Sequence, residues 1–181
     1  MFLINKGNGV FRMEKSATLD KKFQLSEEGL AFVKKEMNRY ETKRSAILPC
    51  LYRVQKENGG WVSPGAVSYL SQVMDIPEAQ INEVLLFYTM YNKRPVGKLH
   101  IQVCCNLSCA MNGSRELVDH LCNNFHVKEG EKSTDDMVTI SRVECLGACD
   151  IAPMAQVNET YIGPLKKETV VDQIKGLLKQ D

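Results

Sequence analysis

Apolar residues recur at helical spacing through the first half of the chain and alternate with polar ones in the second, with the change of period falling near Lys98. Leu30, Val33 and Met37 form a first helical stripe, Ser26 stands where a cap is needed, and Leu25 and Leu30 are spaced as a hydrophobic staple. A second helix is predicted from Ser45, carrying Ile47, Leu48, Leu51 and Val54 and stopping at Asn58-Gly59-Gly60. Ser63-Pro64 opens a third through Met74, with Val67, Leu70 and Val73 on one face. A fourth bears Ile81, Val84, Leu85 and Tyr88 and is expected to break at the Pro95 to Gly97 stretch.

Beyond Lys98, Leu99-His100-Ile101-Gln102-Val103 alternates as a strand and runs straight into the first cysteines. Val118, Leu121, Cys122 and Phe125 then predict a helix packed on a sheet. Met137 to Val143 alternates again and delivers a second cysteine pair. Two short strands around Asn158-Glu159 and a closing helix over 168–178 complete the pattern. The expected fold class is α+β: a flexible tail over residues 1–22, a helical bundle over 23–96 and an α/β domain over 97–181.

Composition narrows the function. With 23 basic against 22 acidic residues there is no electrostatic footprint for nucleic acid. The longest apolar runs, such as Val84 to Phe87, fall far short of the roughly 20 residues needed to cross a bilayer, so no direct membrane insertion is expected. The N-terminus lacks the apolar core and small-residue cleavage site of a secretory signal. Seven cysteines without an export signal are expected to stay reduced in the cytoplasm, which favours thiolate ligation over disulfides.

Cys104 and Cys109 form one pair and Cys145 and Cys149 a second, each in the loop after a predicted strand. Loops at strand ends can converge, and four thiolates suit zinc or an iron–sulfur cluster. Spacing alone leaves iron–sulfur, zinc and unligated thiols open. The cysteine orders of plant-type and bacterial ferredoxins are both absent, and His100, His120 and His126 are not interleaved with the cysteines as Rieske ligation requires. Cys50 and Cys122 read as buried small hydrophobes. Cys105 is a rival first ligand, but consecutive extended residues point oppositely, so only one of Cys104 and Cys105 can face the site. No Gly-rich dinucleotide fingerprint is present, so neither NADH nor flavin is expected to bind this chain alone.

Cys145-Leu146-Gly147-Ala148-Cys149-Asp150-Ile151-Ala152-Pro153-Met154, with Val103-Cys104 through Cys109 upstream, resembles the thioredoxin-like 2Fe-2S subunit of respiratory NADH:quinone oxidoreductase, complex I. Lys43 to Pro49 and Phe87 to Tyr91 in the helical half are similar to the same family. One departure is Val138, where the family signature favours an aromatic. The resemblance implies a thioredoxin-like ferredoxin domain behind the bundle and one 2Fe-2S cluster on Cys104, Cys109, Cys145 and Cys149, with Cys104 favoured over Cys105. It also implies a partner subunit that binds FMN and NADH, and a larger respiratory complex. The chain would then be peripheral to the cytoplasmic face of the inner membrane, exchanging single electrons with FMN and not catalytic alone. Plant-type clusters lie near about −400 mV, so a low potential is expected. Equivalent subunits of NAD-linked hydrogenases or formate dehydrogenases keep this chemistry in another assembly, and a zinc-bound interaction module is the alternative of a different class.

Overall fold

A computed structural model describes residues 23–179, so the tail expected over 1–22 lies outside the described residues. Helix α1 (Glu27–Arg39) starts on Ser26, whose hydroxyl accepts from the Gly29 N–H at 3.0 Å. Leu25 is buried and Leu30 packs against the same core, in keeping with the staple spacing. The second helix begins later than the pattern suggested. Thr42 accepts the Ser45 N–H at 3.2 Å and tightens Lys43–Ala46 into a 3-10 turn, so α2 runs over Ile47–Glu57. Ser63 caps α3 (Pro64–Met74), with Pro64 in its first turn.

Helix α4 (Glu78–Phe87) ends well before Pro95. The chain leaves it because the following segment is tied elsewhere. Tyr91 is buried and donates its hydroxyl to the Leu48 carbonyl at 2.8 Å. Asn92 donates to the Gly60 carbonyl at 2.8 Å and accepts from the Val62 N–H at 2.8 Å. The segment is thus a strap laid across α2 and its terminal turn. The core beneath is built from Val33, Ile47, Leu51, Val54, Leu70 and Ile81 among others, all drawn from residues 25–91.

The second half forms a four-stranded sheet in the order β2-β1-β3-β4. β1 (Leu99–Cys104) runs parallel to β2 (Val138–Val143), and antiparallel to β3 (Ala155–Val157), which pairs with β4 (Thr160–Ile162). Short α5 (Leu107–Met111), α6 (Ser114–Phe125) and α7 (Val170–Leu178) complete it. Strand alternation sorts the two faces. Leu99, Ile101, Val103, Val138, Ile140 and Val157 pack against α6 and α7, giving a second core with no residue before Leu99. His100, Gln102 and Gln156 line the opposite side, in a cleft of about 540 Å³ whose far wall is Tyr52, Gln55 and Met90. Val138, the departure from the family signature, is a buried member of the second core.

Candidate metal centre

Parallel pairing puts Cys104 opposite Val143, so both strands release their cysteines at the same end of the sheet. After β1 the chain turns at Asn106, whose Oδ1 accepts from the Leu107 N–H at 2.8 Å and caps α5, the helix that carries Cys109. Cys104 and Cys109 are 4% and 2% exposed, and their thiols lie in hydrogen-bond contact above the buried Met154. After β2, Cys145 and Cys149 stand exposed on the neighbouring loop. Gly147 turns that loop at φ +77°, a conformation that disfavours any side chain, and donates its N–H to the Cys145 Sγ at 3.4 Å. Tyr161 on β4 donates its hydroxyl to the Leu146 carbonyl at 3.0 Å, and Asn106 Nδ2 donates to Glu144 Oε2 at 3.1 Å.

Backbone donors already surround the sulfurs. Burial works to raise the Cys104 thiol, but N–H groups of Asn106 and Leu146 and the Cys109 thiol outweigh it and hold Cys104 below its ordinary value. Burial raises Cys109, helped by the negative charge it would share with Cys104 and Cys149, and opposed by the Met154 N–H. Cys104 is therefore the readier thiolate of the pair.

The remaining candidates separate cleanly. Cys105 packs against the second core, and burial raises its thiol. Cys50 is buried in the helical core and its thiol is pushed up to about 12, first by burial and then by Glu36. Cys122 packs on the second core. His100 is buried and its Nε2 meets the Ser141 hydroxyl at 3.0 Å, while His126 is the left-handed cap of α6.

Among the described residues no three or more His, Cys, Asp or Glu side chains are grouped tightly enough to hold a metal ion. Two thiols touch, and the second pair stays open on the adjoining loop. The donor set nonetheless fits a thiolate-ligated iron–sulfur group: four cysteines leave one sheet end, and N–H groups point at three of the sulfurs. Asn106, Glu144 and Tyr161 escaped the sequence reading. Asn106 was findable as a cap ahead of Leu107, whereas the bond from Tyr161 depends on how β4 returns beside the loop.

Residues 33–178 match the thioredoxin-like 2Fe-2S ferredoxin family. The chain belongs to that family. Its relatives include an NADH-quinone oxidoreductase subunit of Rickettsia bellii, 36% identical over 159 residues, covering 85% of this chain and 95% of the relative. The corresponding subunit of Rickettsia prowazekii is 39% identical over 155 residues, covering 79% and 88%. One from Rhizobium meliloti is 39% identical over 127 residues, covering 70% and 75%. Among solved structures, an air-oxidised NAD+-reducing NiFe hydrogenase aligns with a TM-score of 0.60 at 21% identity. That likeness spans 74% of this chain and 22% of the hydrogenase chain, and it shows the fold of this family member rather than its activity.

Proposed function

We propose that this ferredoxin-family chain is the electron-transfer subunit of an NADH:quinone oxidoreductase, with one 2Fe-2S cluster ligated by Cys104, Cys109, Cys145 and Cys149. The observation that carries the reading is the shared sheet end: parallel β1 and β2 bring both cysteine loops together, and Cys104 already touches Cys109. The relatives that bear the name of that oxidoreductase, matched along most of their length, support the assembly. When bound, such a cluster supplies a one-electron station beside a two-electron hydride carrier.

The chain's own residues prepare that station. N–H groups of Asn106, Leu146, Met154 and Gly147 donate to cysteine sulfurs, which stabilises the negative charge that reduction adds. Leu146, Ala148, Ile151 and Met154 pack an apolar collar around Cys104 and Cys109 and keep water from them. Leu107 and Met111 flank Cys109 yet are 72% and 80% exposed, so this face favours cover by a partner. The proposed partner is the subunit that binds FMN and NADH, takes the hydride and exchanges single electrons here. No described helix is long and apolar enough to cross a membrane; a place at the cytoplasmic face of the inner membrane, through the rest of the complex, belongs to the same proposal.

Anaerobic purification with iron, sulfide and zinc assayed on one sample, and EPR before and after dithionite, tests the reading. About two irons and two sulfides with a spin-half signal on reduction are expected. A colourless protein holding about one zinc, with no cluster recovered on reconstitution, would sink it.

A further inference from the structure

Asn106 and Glu144 face each other across the gap between the cysteine loops, Asn106 two positions after Cys104 and Glu144 immediately before Cys145. An exposed glutamate ordinarily samples several rotamers, and its charge is spent on water. This one is held. Asn106 Nδ2 donates to its Oε2 at 3.1 Å, and the other end of the same amide is fixed by capping α5 at 2.8 Å. The carboxylate is thereby tied to the loop that follows Cys104 while it stands next to Cys145 in the chain. Arg142, two positions earlier, is engaged by Asp119 at 2.6 Å and Glu129 at 3.4 Å, so its charge is directed to other partners.

We propose that Glu144, positioned by Asn106, lowers the reduction potential of the site by fixing a negative charge between the two cysteine loops. A stationary anion disfavours the arriving electron by simple Coulomb repulsion, and because Glu144 is exposed the effect is screened by salt. The consequence is a site that releases its electron readily. This inference rests on the cluster reading above.

The test is a potentiometric titration of the anaerobically purified full chain, followed by EPR at low and high salt. Glu144→Gln keeps an oxygen for the Asn106 amide and removes the charge. Its midpoint should move upward, by an amount that shrinks at high salt, with the EPR line shape retained. Asn106→Ser keeps a hydroxyl to cap Leu107 but frees the carboxylate, so it should move the midpoint upward by less. The double variant should match Glu144→Gln alone. An unchanged midpoint in Glu144→Gln at low salt, or a shift indifferent to salt, overturns the proposal. Loss of iron and sulfide from Glu144→Gln overturns it as well, by assigning the carboxylate to assembly. Iron and sulfide missing from the unmodified chain would instead remove the cluster reading, before any variant is compared.

Discussion

Cys104 and Cys105 are neighbours on one strand end and meet different surroundings. Cys104 touches Cys109 within the apolar collar, while Cys105 turns to the core beneath α6. Cys104→Ser is therefore expected to deplete iron and sulfide and to alter or abolish the EPR signal, whereas Cys105→Ser keeps both; equal depletion would reverse the assignment. His100 makes a prediction of another kind. Burial pushes its imidazole down to about 4, against an unfolded value near ~6.5. Between those values the unfolded chain binds a proton that the folded chain refuses, so stability falls as pH drops through the window. From pH 7 to pH 5 the loss from this group is about 2 kcal/mol. Urea unfolding of the chain and of His100→Gln at both pH values checks it, and the variant should be less pH-sensitive by that amount. Identical pH dependence would show that His100 titrates normally.

The pairing of β1 with β2 decides where the cysteines go, and Gly97 guards its start. A Cβ there would lie 2.5 Å from the Val138 N and 2.6 Å from its carbonyl carbon, while the Gly97 N–H donates to Thr139 Oγ1 at 2.9 Å. Gly97→Ala must push β1 away from β2, at a cost of about 1–3 kcal/mol. A lowered urea midpoint measures this; an unchanged one would mean the strands slide apart freely. Both strands were legible in the sequence because alternation and side-chain burial are local to each strand, and so were the Ser26 and Ser63 caps, whose partners lie three residues away. The end of α4 was not, because what stops it is the bond from Tyr91 to the Leu48 carbonyl, 43 positions distant. The same limit hid the bonds from Tyr161 to Leu146 and from Asn106 to Glu144. Pairs of thiols could be read from spacing, but the donors that tune them belong to loops that meet only in the folded sheet.

The two large cores share no residue: one is built from positions 25–91 and the other from Leu99 onward. Between them runs the cleft, where Tyr52 reaches Glu159 at 3.5 Å, the long end of a hydrogen bond. The sheet face turned toward the bundle carries His100, Gln102 and Gln156, side chains that tolerate water if the bundle is removed. The cysteines and the N–H donors that serve them also lie wholly beyond Leu99. We therefore predict that residues 97–181 alone fold, take up the cluster and give the EPR signal of the full chain. The bundle contributes no residue to that unit's core and none of the proposed ligands, and docking to the proposed flavoprotein subunit is the role we assign to it. Co-purification of each form with that subunit separates the possibilities. The fragment should hold its cluster and lose the partner. A fragment that still binds the partner would move the docking surface to the cysteine face, around Leu107 and Met111. A fragment without iron would show that the bundle supports the fold across the cleft.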